Sequence, residues 1–459
     1  MKTMLNKLFL LMLLSGFAFA QGEINLTLLS NFDPYPSIGY NDCWGYTAPD
    51  GKEYAFLGVL NGTSVVNISD PLNPVEVGFV PSNTSTWKDI KTYDHYAYVV
   101  IDASGNGLQV IDLSDLPNSV SLVNTFTGGG FASSHNIFID ENNAILYAQG
   151  GGGVRVISLA DAANPVQLTT ISAPSVHDVF ATGDRLYVSE GWQFSYSIWD
   201  VSDPTIPALL GRFNTPSSGY AHNAWATDDG NYLMTTEEVP AGKTVKLWDV
   251  QDPQNATLMD DYIATATSRP HNVHIKGQYA YLAHYWDGLR ILDISDPSNI
   301  LEVASYDTYP GVGSNYEGNW GAFPYFNSGK VLASDRTYGL FIFYFDGANI
   351  TGLDDPPAQN LPSEFQLAQN YPNPFNPATS IEYNLPESGE VMLDIFDITG
   401  KKVRTLVNQR QTAGSQYRIV WDATDENGKA VSSGIYFYRL QVWGETASFS
   451  QTKRMVYMR

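Results

Sequence analysis

Four of the seven histidines recur at the same place in successive segments of the chain. They are His135, His177, His222 and His271, and each is followed directly by Asp or Asn. Imidazole nitrogens bind transition metals and exchange protons near neutral pH. The pattern therefore predicts a row of imidazoles with a function in metal binding, acid–base chemistry or ligand recognition.

A second polar set lies where the next strand-like run of each segment ends: Asp102, Gln149, Glu190, Glu237 with Glu238, His284 and Asp335. Imidazoles beside carboxylates suit a divalent metal ion or general acid–base chemistry. We predict that His177, His222 and His271 hold such an ion if their nitrogens approach to about 3–4 Å, since each bond is near 2.1 Å. The candidate ligand-binding residues are His135, His177, His222, His271, Glu190, Glu237, His284, Asp335, Trp192 and Trp286.

Each of these residues also has a structural interpretation. The Asp or Asn after each histidine would tie one segment to the next by hydrogen bonds, and the ends of strands are ordinary solvated positions. Most aromatic residues would pack between segments. Asn41, Lys88 and Asn319 occupy the histidine register elsewhere, so the fold does not demand imidazole there.

No catalytic motif of known spacing accompanies the histidines. The chain lacks a Gly-x-Ser-x-Gly elbow, a phosphate-binding loop, His-Glu-x-x-His and Cys-x-x-Cys. We therefore favour a binding module for a carbohydrate, a peptide or a surface partner and assign no catalytic residue. The alternative is a metal-dependent hydrolase or lyase that uses the same face.

An internal repeat explains the common register. Taking the residue after each histidine position, residues 42, 89, 136, 178, 223, 272 and 320 are 42 to 49 apart. Each unit holds about four short strands and a turn such as Ser-Asp-Pro, where Asp bonds backbone amides and Pro fixes φ. Seven such units predict a closed seven-bladed β-propeller in which equivalent positions form a ring around the axis.

The charge excludes two kinds of partner. The chain carries 48 acidic and 25 basic residues, and from residue 360 onward it has 10 of each, so residues 1–359 hold the whole acidic excess. An acidic body without a basic tract argues against nucleic acid and against an anionic lipid surface.

The two ends differ from the body. Residues 1–20 read as a cleaved secretory signal, with an apolar run shorter than a membrane span, and no other stretch is long and apolar enough to span. We predict the propeller over residues 21–346 and a linker rich in Pro, Gly and Asn over 347–369. Alternating strand runs and turn signals predict a small immunoglobulin-like β-sandwich over 370–459, so the whole chain is all-β.

Three resemblances follow from these motifs. The repeats, for example LQVIDLSDLPNS from Leu108 and LRILDISDPSNI from Leu289, resemble LVIVD-repeat propellers. The tail resembles the C-terminal sorting domain of type IX secretion, and its carrying residues include Tyr371, Pro372, Asn373, Pro374, Gly400 and Gly434. The whole chain is similar to the choice-of-anchor B family.

These resemblances imply a cellular location and a route of export, and they do not imply a particular reaction. The implied partner is the type IX secretion machinery. The implied location is the outer-membrane surface or exterior of a Bacteroidetes-like Gram-negative bacterium, reached through the periplasm. No cofactor other than a divalent metal ion is expected.

Overall fold

The structure is a computed structural model. It describes residues 26–216, 218–267, 269–311, 316–349, 365–370, 373–386, 389–411, 414–426, 428–444 and 448–458. The predicted signal at 1–20, most of the predicted linker, and Tyr371 and Pro372 of the sorting motif lie outside the described residues. The chain divides into two compact units, residues 1–351 and 352–459.

The described part of the first unit is built from short antiparallel strands. In chain order they are β1 (Leu26–Phe32), β2 (Tyr40–Thr47), β3 (Glu53–Val59), β4 (Gly62–Asn67), β5 (Val75–Pro81), β6 (Lys88–Tyr93), β7 (Tyr96–Ile101), β8 (Leu108–Asp112), β9 (Ser121–Phe126), β10 (Ile137–Asp140), β11 (Ile145–Gly150), β12 (Gly153–Ser158), β13 (Val166–Ile171), β14 (Asp178–Thr182), β15 (Arg185–Ser189), β16 (Ser195–Asp200), β17 (Ala208–Asn214), β18 (Ala221–Ala226), β19 (Tyr232–Glu237), β20 (Val245–Asp249), β21 (Thr257–Tyr262), β22 (Val273–Lys276), β23 (Tyr279–Ala283), β24 (Leu289–Asp293), β25 (Leu301–Tyr306), β26 (Asn319–Phe323), β27 (Lys330–Asp335) and β28 (Gly339–Phe345).

These strands form seven four-stranded blades. Six blades are consecutive in the chain, namely β2–β5, β6–β9, β10–β13, β14–β17, β18–β21 and β22–β25, and the seventh has the order β1-β28-β27-β26. The first strands β2, β6, β10, β14, β18, β22 and β26 contact one another in a closed circle. The seven-bladed propeller predicted from the repeat is therefore confirmed.

Ring closure uses the two ends of the propeller. Strand β1 pairs antiparallel with β28, with Leu26 opposite Phe345, so the N-terminal strand is the outer strand of blade seven. This pairing supplies the fourth strand of blade seven and closes the ring.

Burial differs from strand to strand within a blade. Strand β3 is buried at every position because neighbouring blades cover both of its faces, whereas the outer strand β13 alternates between exposed and half-buried residues. Apolar side chains on both faces of the inner strands thus form the packing between blades. The sequence pattern of apolar runs followed by alternating runs has this origin.

The Asp residues of the repeated turns have the local function that the sequence predicts. The carboxylate of Asp203 accepts a hydrogen bond from the Thr205 amide at 2.9 Å, and that of Asp296 accepts one from the Ser298 amide at 3.0 Å. These turn carboxylates are exposed and satisfied by backbone, which is a structural function.

The second unit is a two-sheet sandwich. Its strands are β29 (Gln366–Leu367), β30 (Thr379–Leu385), β31 (Gly389–Asp397), β32 (Lys402–Gln411), β33 (Gly414–Trp421), β34 (Gly434–Gly444) and β35 (Ser448–Tyr457). The sheets have the orders β29-β30-β33 and β32-β31-β34-β35. Trp421 and Tyr438 lie fully buried in a core that belongs to this unit alone. The predicted immunoglobulin-like sandwich is confirmed.

The described part of the tail motif is fixed to the last strand. The Val456 amide donates to the Asn373 side chain at 2.9 Å, and the Phe375 amide donates to the Val456 carbonyl at 3.0 Å. Gly400 has a φ of +81° in the turn after β31, which glycine adopts without strain, and Gly434 begins β34. Asn373 therefore ties the start of the motif to the last strand, and Gly400 permits the turn after β31.

Helical structure is minor in the described chain. It consists of two short 3-10 turns, Gly128–Gly130 and Asp346–Asn349. Neither has the length or the apolar content needed to cross a membrane.

Candidate functional site

The four histidines form a continuous arc of rings, tilted against one another, at one mouth of the propeller channel. Their ring centroids are 4.4 Å apart from His135 to His177, 4.2 Å from His177 to His222 and 4.5 Å from His222 to His271. Each lies at or just before the first strand of its blade, so the ring architecture places the same register side by side. The predicted arc is present.

Tryptophans flank the arc at both ends. The ring of Trp320 lies 4.5 Å from His271, and that of Trp87 lies 6.3 Å from His135. The row of imidazoles from blades three to six is thus extended by an indole ring from blade seven at one end and from blade two at the other. We name this set, Trp87, His135, His177, His222, His271 and Trp320, the aromatic arc.

Backbone carbonyls of the next blade fix the orientation of the rings. Nδ1 of His177 lies 2.8 Å from the His222 carbonyl, and Nδ1 of His271 lies 2.5 Å from the Trp320 carbonyl. A carbonyl only accepts, so Nδ1 carries the proton and Nε2 keeps its lone pair. His177 and His271 therefore each present a basic nitrogen from a fixed ring.

The arc is neutral along most of its length. Burial, and then the neighbouring imidazoles, lower the pKa of His177 and His271 well below the ordinary value. Burial also lowers the pKa of His222. These three rings are uncharged at neutral pH and available as ligands or acceptors.

His135 differs in charge from the other three. Burial opposes its protonation, but the hydrogen bond and negative charge of Asp102 outweigh burial and raise its pKa. Nδ1 of His135 lies 3.1 Å from both carboxylate oxygens of Asp102. The two predicted sets of polar residues thus meet at this point of the ring.

The Asp and Asn residues next to the histidines tie the blades together. Asp89 accepts hydrogen bonds from the Ile137 amide at 2.7 Å and from the Asn136 side chain at 2.9 Å. Asn136 accepts in turn from the Val179 amide at 2.9 Å. The same bond joins Asn223 to the Val273 amide at 3.0 Å. This is the structural function expected for the set.

The inner ring of carboxylates is buried around one lysine. Lys91 forms an ion pair with Asp89. Burial, then the charge of Asp89, raise the pKa of Asp178 to about 7 and that of Asp42 well above its ordinary value. One lysine does not neutralise three carboxylates, so the channel floor holds protons that an exposed Asp would release.

Most of the second polar set is used inside the blades. Glu190 is fully buried and accepts two hydrogen bonds from Arg212, at 2.8 and 2.9 Å. Glu237 pairs with Lys246 at 2.5 Å. His284 lies 3.3 Å from Asp287, and Asp335 accepts from the Thr308 hydroxyl at 2.7 Å. None of these interactions includes a histidine of the arc.

Glu238 is the carboxylate that reaches the arc in blade five. Its Oε2 lies 3.9 Å from Nε2 of His222, and its Oε1 accepts a hydrogen bond from the Tyr285 hydroxyl at 2.7 Å. One ligand atom from each of His222, Glu238 and His271 can be chosen so that all lie within 4.8 Å of one another. This group shares His222 and His271 with the predicted metal ligands and has Glu238 in place of His177.

Exposed aromatic side chains lie within and beside the aromatic arc. Trp192 is 60% exposed, Trp87 44% and Tyr316 40%. Trp192 packs on Tyr220, whose ring lies 5.1 Å from His177. Trp286 is half-buried against Tyr309 at 5.0 Å. Of the two predicted tryptophans, Trp192 offers the larger free surface.

A second cavity, of about 540 Å³, opens at the other end of the inner strands. Trp44, Trp225 and Tyr325 line it together with Asp140 and Asp228. None of the site residues predicted from sequence lines this cavity. The signal that could have found it is the aromatic residue three positions after the histidine register, as in Trp44, Phe138, Phe180, Trp225 and His274.

Comparison with protein families identifies both units. The LVIVD repeat model matches residues 52–81, 86–127, 173–215 and 270–308. These segments lie in the blades that begin with β2, β6, β14 and β22. The FlgD Ig-like domain model matches residues 376–446.

Comparison with single proteins gives matches at low identity. WD repeat and HMG-box DNA-binding protein 1 of Xenopus laevis is 28% identical over 173 residues, 36% of this chain and 14% of that protein, so the chain spans about a seventh of its length. PorZ, a surface component of the type-IX secretion system of Porphyromonas gingivalis, has a TM-score of 0.47 at 14% identity over 91% of this chain and 60% of PorZ.

The WD40 repeats of RRP9 superpose with a TM-score of 0.52 at 10% identity, over 70% of this chain and 100% of RRP9. At that identity the likeness shows the propeller fold alone. Together with the family matches, it means that this chain carries LVIVD repeats in a seven-bladed β-propeller, followed by a FlgD Ig-like domain.

Proposed function

We propose that the protein is an exported interaction module that binds a carbohydrate at the mouth bearing the aromatic arc. The observation that carries this proposal is the exposure of Trp87, Trp192 and Tyr316 around the arc. Exposed indole and phenol faces at a channel mouth are costly in water and bind the apolar faces of sugar rings.

Polar groups that complete such a site lie beside the aromatic faces. Asp102 is partly exposed and already oriented by His135, so it accepts hydrogen bonds from hydroxyl groups. A few fixed polar groups among aromatic side chains are typical of small-molecule and sugar sites. The same rim would also accept an aromatic-rich peptide or a surface protein, and these partners are the alternatives in the test.

Replacing Trp192 tests the site. We expect Trp192→Ala to weaken binding by about tenfold or more, because a central exposed tryptophan commonly contributes over 1.4 kcal/mol. The full-length protein is first screened against immobilised glycans and peptides, and the best binder is titrated by calorimetry.

Trp443→Ala is the matched control, since Trp443 is 46% exposed on strand β34 of the sandwich. We expect this variant to bind as the unaltered protein does. Equal losses in both variants, or binding of peptides and no glycan, would contradict the carbohydrate site.

For delivery, we infer that the chain is a choice-of-anchor B protein exported by type IX secretion. The basic and apolar start of the sequence, Lys2 to Phe17, supports entry into the periplasm. The tail from Tyr371 to Arg459 supports recognition by the type IX machinery as partner. The location is then the cell surface or the exterior of a Bacteroidetes-like bacterium, with residues 1–20, 21–346, 347–369 and 370–459 as signal, propeller, linker and sorting domain.

A metal-dependent hydrolase or lyase is the second candidate function. The convergence of His222, Glu238 and His271 favours it, because two imidazoles and a carboxylate can hold a catalytic ion. Hydrolysis of the identified ligand, lost on chelation, would move the assignment to this class.

A further inference from the structure

We propose that His222, Glu238 and His271 form a binding site for one divalent transition-metal ion of the zinc class. The three residues come from blades five and six and are all buried. One ligand atom of each can be chosen so that the atoms lie within 4.8 Å of one another. This site is independent of the proposed carbohydrate site, since it needs none of the exposed aromatic residues.

The distance between the ligand atoms of His222 and Glu238 is typical of two ligands of one metal ion and too long for a hydrogen bond. Nε2 of His222 and Oε2 of Glu238 are 3.9 Å apart, beyond the range of a direct hydrogen bond. Two ligands bound at about 2.0–2.2 Å to one ion are separated by about 3–4 Å. The two atoms thus face each other at a distance that an ion bridges with little movement.

One imidazole of the site is fixed in the form that binds metal. Nδ1 of His271 lies 2.5 Å from the Trp320 carbonyl. Metal-binding histidines generally donate their other N–H to a carbonyl or carboxylate in this way, so Nε2 of His271 is unprotonated. His222 is buried, its Nδ1 has no hydrogen-bond partner among the described residues, and its Nε2 faces Glu238.

The carboxylate is oriented by a buried phenol. The Tyr285 hydroxyl donates to Oε1 of Glu238 at 2.7 Å, and Tyr285 is 1% exposed. This bond occupies one oxygen and leaves Oε2 toward His222. Supporting bonds of this kind change metal affinity by about 10- to 100-fold when they are removed.

The two imidazoles of the site border open space. A cavity of about 20 Å³ lies within the arc and is lined by all four of its histidines, including His222 and His271. The ligand set of two nitrogens and one oxygen suits Zn²⁺ or Co²⁺ over Ca²⁺ and Mg²⁺, and three protein ligands leave an open fourth position.

The test measures binding of Zn²⁺ and Co²⁺ to the full-length protein after treatment with a chelator. We expect one equivalent of either ion to bind, with visible absorption from Co²⁺ in a nitrogen and oxygen environment. Glu238→Gln and His222→Ala should weaken binding about 100-fold or more. Each variant is checked for folding by its thermal unfolding.

Two further variants keep the test decisive. Tyr285→Phe removes only the hydroxyl that orients Glu238, so it should lower affinity about 10- to 100-fold without loss of fold. His95→Ala is the control, because His95 pairs with Asp94 on the surface. Failure of the unaltered protein to bind either ion, or unchanged affinity in Glu238→Gln and Tyr285→Phe, would overturn the site.

Discussion

Deletion of residues 370–459 is expected to abolish release of the protein and to leave the propeller in the periplasm. The tail is the proposed signal for transport across the outer membrane. Without it, the N-terminal signal still directs the protein into the periplasm. The sandwich has a hydrophobic core of its own, so the deletion removes no residue from the cores of the propeller. The measurement is immunoblotting of periplasm, cell surface and medium in a bacterium with type IX secretion.

A transplant is the matched control for this deletion. Residues 347–459 attached to a periplasmic reporter that keeps its own signal should carry the reporter out of the cell. Protease resistance of the retained propeller shows that it is folded. Normal release of the deleted protein, together with a reporter that stays in the periplasm, would refute the sorting function.

Arg212→Ala is expected to lower the free energy of unfolding of the propeller by about 3–5 kcal/mol. The variant leaves the Glu190 carboxylate buried with only the Ser195 and Ser197 hydroxyls as partners, at 2.6 and 2.7 Å. The Glu190 side chain is fully buried, whereas that of Arg212 is 37% exposed, so water only partly compensates for the lost counter-ion. Urea unfolding followed by tryptophan fluorescence measures the loss.

Arg290→Ala is the control for a pair near the surface. Arg290 lies 3.0 Å from Glu302, and both side chains are partly exposed. We expect a cost of about 1 kcal/mol or less, because water solvates the remaining carboxylate. Equal costs at the two positions would contradict the structural function that we assign to Glu190.

The fold could be predicted from sequence because its signal is repeated. The histidine register, the Ser-Asp-Pro turns and the apolar runs each recur, and any one of them gives the number of units. The position of β1 was harder to predict. Leu26–Phe32 lies before the first repeat, and its partner β28 comes at the other end of the propeller sequence.

The candidate site could be predicted only in part. The arc followed from ring symmetry, which brings His177 and His222 together whatever the details of the strands. The choice between Glu237 and Glu238 depended on strand register, because adjacent residues point to opposite faces. Strands β18 and β19 shift register between Ala221 and Asn223, at the position of His222, and no sequence rule locates that irregularity.

The large cavity at the other mouth was missed for a different reason. Trp225 lies in the same strand as His222 and is three residues further on, about 10 Å along the strand. The two residues are close in sequence, but they lie toward opposite ends of the channel. A measurement that locates the bound ligand is therefore needed to assign binding to one of the two mouths.

The central claim is that the mouth with the aromatic arc is the binding surface, and amide hydrogen exchange with and without the identified ligand tests it most directly. We predict slower exchange at the amides of Trp192 and Tyr220 and around Trp87 when the ligand is bound. Slower exchange confined to the other mouth, at Asn142 and Gly183, or to the C-terminal sandwich would contradict the claim.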